Sequence, residues 1–285
     1  MLPFRKIVFP IDYSDACLSI VPHVKSAVAH FGAQLTLVHA YGPEGLSFVD
    51  LPLADPDLPG RVREFEQLRV RDFAQEHFGG TQVECFAELG EAGTVIHDIL
   101  KRQGGDVVML PTHGRGPVRR MMLGSVATKI LHDVDCAVWT ATGTAIKGGH
   151  GGKYKSIVCA VDESQEALSV IKAGDALAKS YGATLAVVNV LGLPPMTMEI
   201  DYASVKNDLL LGAQQRLRET LASVGVDAHH AVIEGNIANG LHDWAADRGA
   251  DLLVVGRGHA QDALGRVWSN LYSIVRESPC PVLSI

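Results

Sequence analysis

The sequence is poor in cysteine, in aromatic residues and in positive charge. Its 285 residues include five cysteines, and aromatic side chains make up only 6% of the chain. Five scattered cysteines without a CxxC spacing are too few for a disulfide framework or a cysteine-rich metal site. The formal net charge of −7 disfavours a nucleic-acid or anionic-membrane binder, because both kinds of partner require a positive surface potential.

Long apolar runs are also missing. No stretch approaches the roughly 18 uninterrupted apolar residues that a membrane-spanning helix requires. The opening segment MLPFRKIVFPIDYSD carries charge from Arg5 onward. It is therefore typical of a strand followed by a helix cap and not of a secretory signal peptide. We expect a cytoplasmic protein in a reducing compartment.

What the sequence does contain is an internal repeat of domain size. The segment KIVFPIDYSDA, which starts at Lys6, is similar to SIVCAVDESQE, which starts at Ser156, and later segments match at an offset of about 145 residues. A repeat of this length indicates two tandem domains rather than a solenoid. The glycine- and lysine-rich stretch TGTAIKGGHGGKYK at 142–155 is typical of a flexible linker. We predict domains at residues 1–147 and 148–285.

Each half alternates short apolar runs with amphipathic stretches. The runs are rich in Val, Ile and Leu and lack in/out alternation, which is typical of strands covered on both faces. The stretches between them, such as VIHDILKRQ from Val95, place their apolar residues on one helical face. The order β-α-β-α-β-α-β-α-β predicts two tandem Rossmann-like α/β domains, each a five-stranded parallel sheet with helices on both faces. Ser14 and Ser164 take the positions expected of helix N-caps.

Three segments should meet at the carboxyl edge of the first sheet. In an open parallel sheet, ligands bind at this edge, where the direction of winding reverses. The first strand ends in Pro10, Ile11 and Asp12, and the second ends in His39, Ala40 and Tyr41. The third segment is the loop PTHGRGPVRRMMLGS at 111–125. At such an edge the carboxylate of Asp12 can accept hydrogen bonds from an amine or hydroxyl of a ligand.

The loop at 111–125 has the features of an anion-binding segment. Gly114 and Gly116 let the backbone turn inward and let a ligand approach its amides. Gly124 and Ser125 lie at the start of the next predicted helix, where free N–H groups and the Ser125 hydroxyl can donate to an anion. Arg115 adds positive charge in an otherwise acidic protein. The alternative is a glycine-rich turn with solvated arginines, and a glycine pattern by itself does not decide between the two.

The spacing of this loop resembles the nucleotide signature of the universal stress protein family. That signature is Gly-x-x-Gly, nine residues, then Gly-Ser or Gly-Thr, and here Gly114 is followed by nine residues and then by Gly124 and Ser125. The flanking segments KIVFPIDYS, LTLVHAYG and LGSVATKILHDVDCAVW are similar to the family as well, and the resemblance covers both halves. It implies an adenine nucleotide alpha hydrolase-like fold and binding of ATP or another adenine nucleotide in the stress response, with Mg²⁺ on the phosphates.

The resemblance also implies which residues would contact the nucleotide. Adenine and ribose contacts would come from the ends of the first two strands, and phosphate contacts from the loop and the helix after it. Arg115 is added to this set because of its charge and position. The residues expected at the site are Pro10, Asp12, Ala40, Gly114, Arg115, Gly124, Ser125 and Val126.

The chain departs from the signature in both halves. Pro111 stands where the signature has its first glycine, and proline has no N–H to donate. In the second half the loop GRGHAQDALGRVWSN has Gly256 at that position, but His259, Ser269 and Asn270 replace the later glycines and the serine. We therefore expect one nucleotide site, in the first half, and a degenerate loop in the second.

Two alternative functions stay open. The first is a nucleotide-independent interaction or scaffold module of the same fold, which Pro111 and the degenerate second loop favour. The second is an adenylyl- or phosphoryl-transfer enzyme, for which His113 and Asp12 are the only candidate catalytic groups near the phosphates. The loop has no Walker A lysine. We therefore expect no enzyme, with at most slow, incidental ATP hydrolysis.

The final strands predict how the halves associate. The segments CAVWTA at 136–141 and CPVLSI at 280–285 should each form the edge of a sheet. Because an exposed apolar edge favours pairing with another strand, we predict that the two domains pair through these strands. A homodimer of the whole chain is a further expectation, and no nucleic acid or membrane partner is expected.

Overall fold

The computed structural model describes residues 3–42, 57–112, 123–141, 153–192, 202–257 and 266–285, and these form two compact units. The first unit runs β1 (Lys6–Pro10), α1 (Asp15–Phe31), β2 (Gln34–Tyr41), α2 (Leu58–Phe78), β3 (Val83–Leu89), α3 (Ala92–Gln103), β4 (Val107–Pro111), α4 (Ser125–Asp133) and β5 (Ala137–Ala141). The second runs β6 (Ser156–Ala160), α5 (Glu166–Tyr181), β7 (Thr184–Leu191), α6 (Tyr202–Ser223), β8 (His229–Glu234), α7 (Ile237–Asp247), β9 (Leu252–Val255), α8 (Arg266–Glu277) and β10 (Val282–Ser284). The predicted alternation of strands and helices is confirmed in both halves. The predicted boundary after residue 147 lies outside the described residues.

The strands within each unit are parallel and have the same order. The first unit has the order β3-β2-β1-β4-β5, and the second has the matching order β8-β7-β6-β9-β10. The chain first winds outward from β1 to β3 and then returns to the other side of β1 at β4. The winding therefore reverses between β1 and β4, and between β6 and β9, which is the place where such sheets bind ligands.

The core of each unit lies on both faces of its sheet. In β4 the four residues from Val107 to Leu110 are each at most 2% exposed. Since consecutive side chains of a strand point to opposite faces, helices must cover both. Helix α2 packs on β2 and β3, whereas α3 and α4 pack against each other. None of the helices in the described part of the chain combines the length and apolar character that crossing a bilayer requires.

The helix starts after β1 and β6 differ, although the sequences are similar. Ser14 caps α1, because its Oγ accepts a hydrogen bond from the backbone N–H of Cys17 at 3.2 Å. In the second unit α5 begins at Glu166, and the residue before it, Gln165, makes no side-chain cap. The prediction that Ser164 is an N-cap is therefore wrong. Ser164 lies one residue too early, in a turn in which its carbonyl accepts from Ala167 N at 3.2 Å.

Candidate functional site

The parallel register brings the predicted residues of strands β1 and β2 together. Pro10 pairs with Val38, so two further residues along each chain place Asp12 beside Ala40. All three predicted residues of these strand ends, Pro10, Asp12 and Ala40, are half-buried. They lie at the carboxyl edge of the sheet, where the winding reverses, as the sequence predicts.

A tight turn fixes the carboxylate of Asp12. Its Oδ1 accepts hydrogen bonds from the Ser14 backbone N–H at 3.0 Å and from the Ser14 hydroxyl at 2.6 Å. Between them Tyr13 has φ +59°, the left-handed conformation that residues with a side chain seldom adopt. The turn thus links Asp12 to the cap of α1 and holds the carboxylate in one orientation.

The start of α4 supplies backbone donors near the same edge. The first helical hydrogen bond runs from Thr128 N–H to Gly124 O at 2.9 Å, so the N–H groups of Ser125 and Val126 precede the helical ladder. The N–H of Gly124 itself donates to Thr112 O at 3.0 Å. The donors that α4 offers to an anion are therefore those of Ser125, Val126 and Ala127, and Gly124 positions them.

The remaining predicted residues of the loop cannot be placed. Gly114, Arg115 and His113 lie outside the described residues. Pro111 is described and ends β4, where it pairs with Ala141 of β5. Thr112 donates its N–H to Ala141 O at 3.1 Å, on the side of β5. Because successive backbone nitrogens of a strand point to opposite neighbours, the backbone nitrogen of Pro111 points towards β1. Any other residue at position 111 would direct its backbone N–H towards the candidate site, and Pro111 has no such N–H.

A buried polar side chain near the end of the second strand of each unit bonds to the backbone just beyond the first strand. His39 is 6% exposed, and its Nδ1–H donates to the carbonyl of Ile11 at 2.9 Å. In the second unit Asn189, at 7% exposure, donates through Nδ2 to the carbonyl of Val161 at 3.0 Å. Two different residue types thus make the same contact, which holds the chain just beyond the first strand of each unit.

A buried ionic cluster, the Glu66 cluster (Tyr13, His39, Glu66 and Arg69), lies between α2 and the end of β2. Glu66 is 3% exposed, and its carboxylate oxygens accept from Arg69 at 2.8 and 3.1 Å. The Nε2 atom of His39 lies 3.5 Å from Glu66 Oε2. The Tyr13 ring contacts two of these side chains, with the Arg69 guanidinium 4.4 Å and the His39 ring 4.7 Å from its centroid. The cluster therefore connects α2 to the turn that carries Asp12.

One feature of the sequence could have predicted this cluster, namely an acidic residue on the apolar face of a helix. Glu66 occupies a position on the buried face of α2, four residues from Val62 and four from Val70, which are 1% and 0% exposed. A carboxylate at such a position needs a charged or hydrogen-bonding partner. Arg69, three residues after Glu66 on the same helix, is such a partner at local spacing. The contacts of Tyr13 and His39 with α2 carry no local signal, because they join segments that are far apart in sequence.

Two weakly acidic side chains close to Asp12, those of Tyr13 and Cys17, keep their protons at neutral pH. Burial raises the pKa of the Tyr13 phenol well above its usual range, and the nearby Arg69 only partly offsets this effect. Burial also raises the pKa of the Cys17 thiol to about 11. Within the described residues, no three His, Cys, Asp or Glu side chains come together as a metal site.

The family model described as Universal stress protein family matches the chain twice, at residues 3–141 and 153–285. A universal stress protein of Thermus aquaticus is 29% identical over 135 residues, which is 47% of this chain and 96% of that protein. Another, MJ0531 of Methanocaldococcus jannaschii, is 24% identical over 140 residues, which is 47% of this chain and 80% of that protein. Each relative thus corresponds to about half of this chain.

Solved structures match the whole chain. A universal stress protein from Archaeoglobus fulgidus superposes with a TM-score of 0.69 at 16% identity, over 98% of this chain and 95% of its own. A putative universal stress protein from Pseudomonas aeruginosa gives a TM-score of 0.67 at 16% identity, over 99% and 93%. At such identities the likeness concerns the fold, and it supports the predicted tandem arrangement of two α/β domains.

Proposed function

The chain belongs to the universal stress protein family, and we propose that its first half binds ATP or another adenine nucleotide as part of a stress response. In this proposal the adenine and ribose lie against the edge formed by Pro10, Asp12 and Ala40. The small side chain of Ala40 leaves room for a flat base, and the Asp12 carboxylate accepts hydrogen bonds from ribose hydroxyls.

The observation that carries the proposal is the start of α4 at the same edge. The N–H groups of Ser125 and Val126 precede the helical ladder, and the helix dipole favours negative charge at this end. Phosphates would bind there, with Gly114 and Arg115 of the preceding loop completing the contacts. Mg²⁺ would accompany the phosphates, since this ion keeps several of its waters and binds substrate phosphates readily.

We further propose that nucleotide binding, and not turnover, is the activity of this site. A transfer enzyme requires a general base or an activated nucleophile near the phosphates. Of the two candidates from the sequence, the Asp12 carboxylate already accepts two hydrogen bonds from Ser14, and His113 lies outside the described residues. The thiol of Cys17 and the phenol of Tyr13, which are protonated at neutral pH, supply no base either. Any hydrolysis of ATP would be slow and incidental.

A substitution at Gly124 tests the phosphate contacts. Gly124 has φ −62° and ψ 146°, the extended conformation usual for an N-cap, so Asp and Asn both fit and both can cap α4. Gly124→Asp places a carboxylate where a phosphate would bind, and we expect affinity for MgATP to fall at least about tenfold. Gly124→Asn is the matched uncharged control and should lose much less. Equal MgATP affinities of the two variants by calorimetry would refute the phosphate assignment.

The alternative of a nucleotide-independent interaction module has a specific observation in its favour. Pro111 removes one donor from the β1 side, and the N–H of Gly124 is engaged by Thr112. Analysis of small molecules released on denaturing the purified protein separates the two functions. Release of an adenine nucleotide favours the proposal, and its absence together with no MgATP binding favours the interaction module.

A further inference from the structure

The second unit contains a cavity between α6 and the end of β7. Its volume is about 350 Å³. The start of α5, strand β7 and one face of α6 form its wall, and the lining residues include Ala167, Asn189, Ala213, Arg216, Leu217 and Thr220. A cavity of about 150 Å³ in another protein holds a benzene molecule, so this one has ample room for a single ring.

The first unit fills the corresponding space with the side chain of Tyr13. The two places correspond because His39 and Asn189 make the same hydrogen bond to the chain just beyond the first strand of their units. The Tyr13 ring lies 4.7 Å from the His39 ring and 5.7 Å from the Phe73 ring, and the Arg69 guanidinium lies 4.4 Å from its centroid. An aromatic ring thus packs between the strand end and α2.

The arginines of α2 and α6 relate the two helices to each other. Tyr13 corresponds to Glu163 in the repeat. Arg69 covers the Tyr13 ring, and Arg216 pairs with Glu163 at 2.6 Å. The two arginines therefore occupy corresponding positions, although Glu163 brings no ring into the space below Arg216.

The helix residues that surround Tyr13 have smaller counterparts in the second unit. Three residues before the arginine, α2 has Glu66 and α6 has Ala213. Four residues after the arginine, α2 has Phe73 and α6 has Thr220. The second unit has thus lost one ring from the strand end and two large side chains from the helix, and the cavity lies where they would be.

One wall of the cavity carries a polar atom without a partner. Asn189 is 7% exposed, and its Nδ2 donates to the carbonyl of Val161. Its Oδ1 is buried and accepts no hydrogen bond from the described residues. Because a buried acceptor without a donor costs free energy, a ligand with a hydroxyl group is favoured beside Asn189.

We propose that this cavity binds a phenol. The ring of the ligand lies against the Arg216 guanidinium, as the Tyr13 ring lies against an arginine in the first unit, and its hydroxyl donates to Asn189 Oδ1. Consecutive residues of a strand point to opposite faces, so Asn189 and Val190 face different sides of β7. Since Val190 is the counterpart of Ala40, the phenol would not occupy the counterpart of the proposed adenine site.

Phenol itself is a suitable probe for the full chain. Cyclohexanol has the hydroxyl but no aromatic face, and toluene has the ring but no donor. We expect phenol to bind about threefold more tightly than cyclohexanol, because only phenol gains a cation–π contact. Toluene should bind more weakly than phenol. In spectra of methyl-labelled protein, the shifts that phenol causes should fall on Ala167, Ala213 and Leu217.

Arg216→Met removes the guanidinium and keeps an unbranched side chain. We expect this variant to lose the roughly threefold preference for phenol and to bind cyclohexanol unchanged. Arg218→Met makes the same change on the same helix at a position that is not among the residues lining the cavity, and it should bind all three probes as the parent does.

Thr220→Phe restores the ring that the first unit has at this position. It should fill the cavity and reduce phenol binding at least about tenfold, whereas Thr220→Val, which is similar in size to the parent residue, should leave the binding intact. If Thr220→Phe fails to fold, Arg216→Met still decides, because the Arg216 side chain is half exposed.

Four results would each overturn the proposal. They are equal affinities for phenol and cyclohexanol, tighter binding of toluene than of phenol, an unchanged preference in Arg216→Met, and unchanged phenol affinity in folded Thr220→Phe. None of these results depends on whether the first half binds a nucleotide. Failure of this proposal and failure of the proposed function are therefore distinguishable.

Discussion

At the residue level, one buried histidine makes the stability of the first unit depend on pH. His23 of α1 is 2% exposed, and its ring packs edge-on against Trp139 with centroids 5.2 Å apart. Burial lowers the pKa of His23 to about 4. The folded chain therefore keeps this ring neutral at pH values at which the unfolded chain, with a histidine pKa of about 6.5, already binds a proton.

We predict that His23 makes the first unit less stable as the pH falls. Its contribution is complete above pH 6.5 and is lost as the pH falls from 6.5 towards 4, by about 1.4 kcal/mol for each pH unit. Between pH 7 and pH 5 the free energy of unfolding should fall by about 2 kcal/mol more in the parent protein than in His23→Leu. Chemical unfolding at the two pH values measures this difference, and parallel pH dependences would contradict the prediction.

The residues of the candidate site illustrate what sequence reasoning can reach. Asp12 and Ala40 could be placed because strand ends and chain order define the edge of a parallel sheet. The role of Gly124 was only partly predictable, since its hydrogen bond to Thr112 depends on how β4 leads into α4. The contact of Glu66 with His39 could not be predicted, because it requires the packing angle of α2 on β2.

At the scale of elements, close packing between a helix and a strand places strict limits on side-chain size. Helix α5 crosses β6 at Gly174, and a β-carbon there would lie 2.0 Å from the Sγ atom of Cys159. Burial raises the pKa of this thiol to about 12, so it is a packing group and not a reactive one.

We predict that Gly174→Ala destabilises the second unit. The clash should cost roughly 1–3 kcal/mol, which exceeds the gain of up to about 1 kcal/mol that alanine brings to a helix interior. The double variant Gly174→Ala/Cys159→Ala should recover most of the loss, because it makes room for the new methyl group. Thermal unfolding of the single and double variants measures both effects.

Gly212→Ala is the matched control for this prediction. It lies inside α6, where a new β-carbon would meet only the flexible end of Arg216 at 3.1 Å. This variant should be neutral or slightly more stable than the parent. Equal effects of alanine at positions 174 and 212 would show that the Cys159 contact does not limit packing.

At the scale of elements the sequence predicted most of the fold. Strands buried on both faces and helices with one apolar face have distinct periodicities, so the type and order of the elements followed directly. Helix starts were less certain, as Ser14 and Ser164 show. Their local sequences are similar, but α1 begins one residue after its serine and α5 begins two residues after its serine. This difference reflects the turn that precedes α5 and not the capping propensity of serine.

At the scale of the whole molecule, the tandem repeat allows the two halves to differ in function. The family model matches both halves, yet the predicted loop residues differ between them. The first half offers donors from the start of α4 at the edge of the sheet where Asp12 lies, whereas the second has an additional carboxylate, Glu166, against Gly256. The pairing of the two domains through their last strands stays a prediction, as does a homodimer of the chain.

We predict that the full chain binds one adenine nucleotide and that this nucleotide occupies residues 1–147. The spacing of Gly114, Gly124 and Ser125 suits phosphates, and Ser269 takes the place of Gly124 in the second half. Equilibrium dialysis with MgATP should therefore give one site in the parent, one in Ser269→Asp and none at the same ligand concentration in Gly124→Asp. Both variants add one carboxylate at positions that correspond in the sequence repeat, so net charge is controlled; in the structure Gly124 is the N-cap of α4, whereas Ser269 lies in the first turn of α8. If Ser269→Asp abolished binding and Gly124→Asp left it intact, the nucleotide would belong to the second half, because the carboxylate in the first turn of α8, and not the one at the start of α4, would then repel phosphate.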